Sequence, residues 1–359
     1  MNKNRFVTLH PMSIIDPWFL NRDAWQIGQT IKKELGYIPE VWWLAVPWKE
    51  KEFILDSQSW RSFWSRFRIF ITLWTEASYI SVLHLYHIWH FTFLFALLYR
   101  LRNPQWIVYV KLDCPFTLRW DFMFIFTWLV LKVVNYIWVE DKRYLDYFVS
   151  RYPRFRDNFL FTPSWAIEIN QYIWKIYKKK RIALAGRFGD PVKNYELLLD
   201  VLESGNTDFL NDYEIYFVGW YTDVFWDRVK KLQQKFWDTW PHIVLTGFLQ
   251  KKTELYDILT ETEIFIHTSN HEWDANIQYD AMFCGCYMLS TEVGNISQNY
   301  PVKSSSFYNV KDAGALYEIF KKIIIEPSIL WVHNPMELQQ YCLDNFVWKK
   351  SLGPLISKL

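Results

Sequence analysis

Residues 264–294 constrain the fold more than any other stretch, because they pass from strand to helix and back to strand. The stretch begins with the apolar strand IFIH, continues through a polar loop, and opens a helix near residues 274–276. A second apolar strand, CYMLS, follows and ends in a turn at residues 291–294. A helix that connects two apolar strands is the unit of parallel sheets with right-handed crossovers. The stretch therefore predicts an α/β domain.

Two carboxylates bracket the polar loop and the first helical turns of this stretch. They are Glu272 and, after seven intervening residues, Asp280. The free N–H groups of a helix N-terminus attract phosphate, and a carboxylate accepts charge-assisted hydrogen bonds from a diol. A ligand with phosphate and hydroxyl groups, such as a sugar nucleotide, fits both features. Two acids at this spacing are more often a solvated surface, so the pattern needs support from elsewhere in the chain.

Support comes from the upstream stretch RIALAGRFGDPVKNYELLLD, which has a second phosphate-binding pattern. An apolar strand ends in a turn with Gly186, Arg187 and Gly189, and Lys193 with Asn194 opens an amphipathic helix. A strand, a glycine turn and a helix N-terminus form the usual phosphate site of open α/β sheets. Hydrogen bonds to charged groups contribute roughly 1.5–3 kcal/mol each, and an exposed helix dipole about 0.3–1 kcal/mol. The two cations would therefore bind a diphosphate more strongly than the dipole.

Together these stretches resemble the retaining nucleotide-sugar glycosyltransferases with the GT-B fold. The acidic signature of that family, E-x7-E, reads Glu272-x7-Asp280 here, and its G-R…K-N element is also present. The other landmarks of the family follow in order, at residues 213–219, 242–249, 255–259 and 291–295. The resemblance extends over residues 181–300, about a third of the chain.

The resemblance implies an α/β chain of two Rossmann-like domains, whose parallel sheets face a central cleft, with a C-terminal helix that returns to the first domain. The expected limits are residues 1–176 for the acceptor-side domain, 177–340 for the nucleotide-binding domain and 341–359 for the returning helix. The buried face of that helix is expected to comprise Trp348, Leu352, Leu355 and Ile356.

The resemblance also implies roles for individual residues. Arg187 and Lys193 would hold the donor diphosphate, Glu272 the donor sugar and Asp280 the ribose, and the first three form the catalytic set. The remaining donor-binding candidates are Gly186, Gly189, Asn194, Phe248, Leu249, Ser269, Asp274, Ala275 and Asn276. The donor would be a UDP- or GDP-sugar. No cofactor is expected, and two fixed cations make a metal ion unnecessary.

The first domain is predicted from its alternation of strands and helices. Strand patterns occur at residues 6–10, 41–46, 79–85, 106–111, 133–139 and 159–162, and a helix pattern at residues 23–35. Residues 77–99 lack Asp, Glu, Lys and Arg, so a membrane span is an alternative to a buried strand and helix. Polar residues near the strand ends are candidates for the cleft and the acceptor: His10, Ser13, His84, Lys111 and Asp113. The loop after the first strand has no glycine, where the family usually has several.

Composition indicates the compartment and the partners. Residues 1–180 carry 24 Lys and Arg against 15 Asp and Glu, a net charge of +9, whereas residues 181–359 carry 16 against 23, a net charge of −7. A basic, aromatic first half suits a phosphate-bearing acceptor or peripheral contact with an anionic membrane. The basic excess is modest and no nucleic-acid motif accompanies it, so a nucleic-acid partner is not expected. The four cysteines have no metal-binding spacing and the first residues no signal-peptide pattern, which together predict free thiols in the cytoplasm or at the inner membrane face.

Three functions are compatible with this sequence. The first is a hexosyltransferase that builds a cell-surface polysaccharide or a glycolipid from a nucleotide sugar and a glycan or lipid-linked acceptor. The second is a degenerate sugar-nucleotide binding or scaffolding protein, suggested by the missing first-domain glycines and the shortened acid Asp280. The third is a GT-B phosphorylase or epimerase.

Overall fold

The chain forms two compact units in a computed structural model. The structure describes residues 5–10, 23–43, 63–88, 90–112, 121–166, 169–204, 207–235, 242–272 and 274–359. The first unit comprises Met1–Pro163 and Ser351–Leu359, and the second comprises Ser164–Lys350.

The first unit has a six-stranded, wholly parallel sheet in the order β2-β1-β3-β4-β5-β6. Its strands are β1 (Arg5–His10), β2 (Ile38–Trp43), β3 (Ile80–Tyr86), β4 (Ile107–Leu112), β5 (Tyr136–Val139) and β6 (Phe159–Phe161). Its helices are α1 (Asp23–Leu35), α2 (Phe63–Glu76), α3 (His90–Arg102), α4 (Asp121–Val133) and α5 (Lys142–Arg151). Every residue of β3 is buried, as expected for a central parallel strand covered on both faces.

The uncharged residues 77–99 form strand β3 and most of helix α3, which confirms the prediction of a buried strand followed by a helix. The apolar residues 122–139 likewise divide into α4 and β5. Within the described ranges, none of the helices has the length and apolar character needed to cross a bilayer.

The second unit has another six-stranded parallel sheet, in the order β12-β11-β10-β7-β8-β9. Its strands are β7 (Lys179–Ala185), β8 (Glu214–Val218), β9 (His242–Gly247), β10 (Thr262–His267), β11 (Tyr287–Thr291) and β12 (Ser305–Tyr308). Its helices are α6 (Glu196–Ser204), α7 (Asp223–Lys235), α8 (Lys252–Glu261), α9 (Asn276–Phe283), α10 (Ile296–Asn299), α11 (Ala313–Ile325), α12 (Pro327–Val332), α13 (Pro335–Asn345) and α14 (Trp348–Ser351). One face of this sheet packs on α6, α7 and α11, and the other on α8, α9 and α13. The strand-and-helix unit predicted from residues 264–294 is β10, α9 and β11.

The two ends of the second unit differ from the sequence expectation. The contact-based boundary lies at residue 164, because the residues before β7 pack on the second unit: the Tyr172 hydroxyl donates to Asp257 Oδ1 at 2.7 Å. The single C-terminal helix predicted for residues 341–359 is wrong, since the chain forms α13, α14 and α15 (Gly353–Ile356). Pro354 has no N–H and its ring conflicts with the carbonyl four residues earlier, so α14 cannot continue through it.

The last helix nevertheless belongs to the first unit, as the resemblance implied. Helix α15 packs against α1 and β6. Leu352 and Leu355 are buried as predicted, Trp348 is nearly buried, and Ile356 is partly exposed.

Candidate functional site

Two loops of the second unit meet at the carboxyl ends of the neighbouring strands β7 and β10. The first follows β7 and contains residues 186–195, and the second follows β10 and contains residues 268–275. The Thr268 hydroxyl donates to the Lys193 carbonyl at 2.9 Å, and the Asn270 N–H donates to the Val192 carbonyl at 2.8 Å. Loops at the carboxyl ends of parallel strands are where α/β sheets bind ligands. The two motifs found by sequence thus form one continuous surface.

Glycines allow the loop after β7 to lie close to its neighbours. A Cβ atom at Gly219 would overlap the Gly186 carbonyl oxygen, so only glycine fits after β8. Gly189 has φ +92°, which favours glycine, and a Cβ there would collide with the Thr222 side chain. These close approaches hold the turn Gly186–Gly189 against the end of β8, with Phe188 bridged to Tyr221.

Lys193 and Glu272 form the central ion pair of the site, with the ammonium donating directly to Glu272 Oε1. The Ser269 hydroxyl donates to the same oxygen at 2.7 Å. Only 21% of the Lys193 side chain and 13% of the Glu272 side chain are exposed. Burial alone would raise the pKa of Glu272, but hydrogen bonds from His267 and Lys193, together with the charge of Lys193, lower it to about 2. Glu272 is therefore a carboxylate at any physiological pH.

His267 lies beneath this pair and was not among the residues proposed from sequence. It is the last residue of β10 and fully buried. The Gln278 amide donates to its Nδ1 at 3.1 Å, so its proton is assigned to Nε2, which lies 3.1 Å from Ser269 Oγ and 3.4 Å from Glu272 Oε1. Burial lowers the pKa of His267 and outweighs the opposing hydrogen bond with Glu272. The neutral imidazole thus orients the acidic loop from below, and a single histidine at a strand end gave no sequence signal of this.

Arg187 is the second predicted cation and is far more exposed than Lys193. Its guanidinium contacts Asp190 Oδ2 at 2.7 Å, and 67% of its side chain is accessible. An exposed ion pair contributes about 0–1 kcal/mol, so Arg187 can turn toward a ligand at little cost. Asn194 next to the pair adopts φ +49°, a conformation that Asn tolerates, and its buried Nδ2 meets no acceptor among the described residues.

Helix α9 begins at Asn276, within the range predicted from sequence. Its N-cap residue is Ala275, which makes no side-chain cap. The Asp274 carboxylate, one residue earlier, accepts hydrogen bonds from the Ser164 N–H and the Tyr279 hydroxyl, each at 2.7 Å. Asp274 therefore fixes the loop, while the first N–H groups of α9 are not capped by a side chain.

Asp280, the second acid of the signature, is enclosed between α8 and α9. It is 1% exposed, and its Oδ1 accepts from the Tyr256 hydroxyl at 2.7 Å. Its Oδ2 accepts from the ammonium of Lys252, the first residue of α8. Both carboxylate oxygens are thus engaged within the unit. Lys252 was not singled out from the sequence.

The residues after β9 adjoin the same end of the sheet. Phe248 is about half exposed and Leu249 is partly buried against the α8–α9 core. The backbone at Gly247 is joined to β8 by a bond from the Gly219 N–H to the Gly247 carbonyl at 3.1 Å.

The environments of His84 and Lys111 in the first unit differ from those of residues that line a solvent-filled cleft. His84 is fully buried, bonds Thr8 Oγ1 through Nδ1 at 3.0 Å, and stacks on Tyr109 with ring centroids 4.3 Å apart. Lys111 is also fully buried and pairs with Glu140 at 2.8 Å. Both project from the same face of the sheet, because His84 pairs in register with Tyr109, two residues before Lys111 on β4. His10 ends β1, whereas Ser13 and Asp113 lie outside the described residues.

Comparison with known proteins gives one family and many similar folds. The glycosyl transferases group 1 family model matches residues 179–324. No curated protein matches the chain in sequence. A glycosyltransferase from Rickettsia africae is 12% identical with a TM-score of 0.70, over 100% of this chain and 98% of its own. The apo lipopolysaccharide outer core galactosyltransferase WaaB is 10% identical with a TM-score of 0.68, over 99% of both chains. Anabaena HepE in complex with UDP is 11% identical with a TM-score of 0.66, over 99% of this chain and 100% of its own.

The matched family segment contains both loops of the site, the Lys193–Glu272 pair and helix α9. The structural likeness covers essentially the whole chain, and at these identities it shows the fold. Residues 179–324 therefore match the group 1 glycosyl transferase family, and the chain as a whole has the GT-B fold.

Proposed function

We propose that this chain transfers a hexose from a nucleoside diphosphate sugar to a glycan or lipid-linked acceptor, with retention of the anomeric configuration. The observation that carries the proposal is the contact between Lys193 and Glu272 beside the uncapped N-terminus of α9. A cation, a fixed carboxylate and a helix N-terminus without a side-chain cap together match a ligand that has both phosphate and hydroxyl groups. This combination supports a sugar nucleotide over either component alone.

The diphosphate would bind between the two loops. Cleavage of the glycosidic bond leaves negative charge on the β-phosphate, and catalysis requires that this charge be opposed more strongly in the transition state than in the ground state. Glu272 holds the Lys193 ammonium, and the Lys193 backbone carbonyl accepts from the Thr268 hydroxyl, so the cation is already oriented. Arg187 would leave Asp190 and close on the phosphates from the exposed side.

Glu272 would accept hydrogen bonds from hydroxyls of the donor sugar. Its low pKa keeps it a pure acceptor, and Ser269 and His267 hold its Oε1, which leaves Oε2 for the ligand. Asp280 is our candidate for the ribose diol. Because each carboxylate oxygen has two lone pairs, it would share Oδ2 between Lys252 and a ribose hydroxyl. Phe248 and Leu249 would border the nucleobase.

Uracil is the base we favour, since the HepE structures of similar fold hold UDP and UDP-glucose. The basic first half of the chain suits an acceptor that carries phosphate, such as a lipid-linked glycan at the cytoplasmic face of a membrane. Cell-surface polysaccharide or glycolipid synthesis is the corresponding process.

A second candidate function, nucleotide-sugar binding without transfer, is favoured by one observation. Asp280 is enclosed and has both oxygens engaged, so the ribose contact of an active enzyme requires a shared or rearranged hydrogen bond. Donor affinity without turnover on any acceptor would distinguish this function from the first.

The decisive experiment is thermal stabilisation by UDP, GDP, ADP, CMP and their sugars. Ligand at about a hundred times its dissociation constant adds about 2.7 kcal/mol, which is easily seen as a melting shift. Arg187→Ala should reduce the shift, whereas Lys180→Ala should not, because Lys180 is an exposed ion-paired cation at the opposite end of β7. If none of these ligands stabilises the wild type, the donor site and the proposed function both fail.

A further inference from the structure

Helices α2, α3 and α4 form one layer on the first sheet, and its outer surface is apolar and cationic. Helix α2 packs against α3, and α3 packs against α4. We call the outer surface the helical face. Its exposed side chains are Ile71, Trp74, Leu94, Leu101, Arg102, Trp128 and Lys132. Large apolar side chains therefore reach solvent from each of three adjacent helices.

The exposed residues follow helical spacing, so they form a surface and not scattered points. Ile71 and Trp74 are three residues apart on α2, and Leu94 and Leu101 are seven apart on α3. Trp128 and Lys132 are four apart on α4. Leu101 is 67% exposed, although the other side of α3 is fully buried at Ala96 and Tyr99. A contiguous exposed apolar patch rimmed by polar groups marks an interaction site.

Each tryptophan of the helical face carries a cation on its ring. The Arg102 guanidinium lies 4.9 Å from the Trp74 ring centroid, joining α3 to α2, and the Lys132 ammonium lies 3.6 Å from the Trp128 ring centroid. Among the described side chains of these three helices the only carboxylate is Glu76, which accepts from Arg5 at 2.8 Å. The described side chains of this surface thus combine aliphatic groups, indole rings and positive charge, and the one carboxylate among them is neutralised by Arg5.

We propose that the helical face docks on the surface of an anionic lipid bilayer. Tryptophan rings favour the boundary between headgroups and acyl chains, aliphatic side chains favour the acyl region, and Arg and Lys favour anionic headgroups. The proposal is independent of the reaction proposed above.

Charge complementarity favours an anionic lipid surface over the same face of a second copy, because two paired helical faces would bring their cations together. On the second unit, by contrast, the exposed Val224 on α7 is flanked by the exposed carboxylates Asp223 and Asp227. The helical face has the opposite character, in keeping with the net +9 of residues 1–180. Docking on this face would use the half of the chain that the family places on the acceptor side.

The test is co-sedimentation of the full chain with phosphatidylcholine vesicles, with and without phosphatidylglycerol. The wild type is expected to bind the anionic vesicles preferentially and to release as salt rises. Trp74→Ser with Trp128→Ser should abolish binding, whereas Trp331→Ser, on a residue of the second unit that is 80% exposed, should leave it unchanged. No preference for anionic vesicles, or equal loss in the control variant, would overturn the proposal.

A second pair of variants separates charge from packing. Each basic residue near an anionic surface raises the membrane partition coefficient about fivefold. The double variant Arg102→Gln with Lys132→Gln should therefore bind anionic vesicles about 30-fold more weakly. Lys230→Gln is the matched control, since Lys230 lies 4.9 Å from the Trp226 ring centroid on the second unit. Lipid-free sedimentation velocity provides the remaining readout. Loss of a dimer in the helical-face variants would assign this surface to a second copy and refute lipid docking.

Discussion

Replacement of Lys193 by methionine tests the centre of the site, because it removes a charge and keeps the length of the side chain. Breaking a buried ion pair by removing one partner costs about 3–5 kcal/mol. This pair is partly exposed, and Ser269 continues to donate to Glu272, so we expect a loss near the value of one charged hydrogen bond, about 2 kcal/mol. For a unit of this size that loss corresponds to about 4–8 °C in melting temperature.

A double-mutant cycle isolates the pair from its surroundings. Lys193→Met, Glu272→Gln and the double variant are compared by thermal and urea melts. Neutralising both partners leaves no unpaired charge, so the double variant should be more stable than the sum of the single losses implies. A coupling energy of about 1–2 kcal/mol is expected for groups in direct contact. A coupling energy near zero would show that the contact does not stabilise the folded chain.

The same variant must also weaken donor binding if Lys193 holds phosphate. Loss of one charged hydrogen bond of about 1.5–3 kcal/mol lowers the affinity for UDP about 10- to 150-fold, measured by calorimetry. Lys180→Met, at the amino end of the same strand, should retain wild-type affinity. Unchanged UDP affinity together with a lowered melting temperature would make Lys193 purely structural and refute its assignment to the diphosphate.

Three further outcomes are expected from urea or thermal melts. The folded pKa of Glu272 lies below its ordinary 4.5, so its contribution to stability is complete above about pH 4.5 and is lost as pH falls toward 2. Glu272→Gln should therefore reduce the loss of stability between about pH 4.5 and about pH 2. An unchanged pH dependence in that range would contradict the assigned pKa. Burial lowers the pKa of His333 from 6.5 to about 4, so protons favour the unfolded chain as pH falls through this window, and up to about 3 kcal/mol of stability is lost; His333→Asn should remove this slope. The Lys178 ammonium donates to the carbonyls of three residues at the ends of α8 and α9, so Lys178→Met should cost about 3 kcal/mol or more, and a melting temperature equal to that of the wild type would show that water replaces it.

The sequence predicts the parts of this fold that depend on local patterns. Strand-and-helix alternation places β10, α9 and β11, and helix α1 has the bounds expected from its periodicity. A parallel strand buried on both faces is a short apolar run, and a surface helix is amphipathic, so the two patterns are distinct without tertiary information. The glycine turn and the acidic loop are also local. Their approach to each other follows from parallel strands that end at the same edge of a sheet.

What the sequence does not reveal depends on pairing between distant residues. Lys111 is expected at the cleft because it is charged and ends a strand, yet register places it between Tyr86 and Trp138, where Glu140 neutralises it. His267 looks like any residue of an apolar strand until Gln278 and the acidic loop fold around it. Whether a polar group is exposed or buried and paired is decided by partners tens of residues away, and a single sequence does not identify those partners.

Asp280 illustrates the same limit and has a consequence for the donor site. An aspartate at this position is one methylene shorter than the glutamate of the family signature, and the space is taken by Tyr256 and Lys252. The Asp280–Lys252 ion pair therefore joins α9 to the first residue of α8. Lys252 directly follows the loop after β9, which is proposed to border the nucleobase. A shorter acid that holds a lysine would present a hydrogen-bond donor at the proposed ribose site, where a free glutamate would present an acceptor. A ribose hydroxyl can donate or accept, so the shorter acid is compatible with the proposed binding and would add Lys252 to Asp280 as a partner of the ribose.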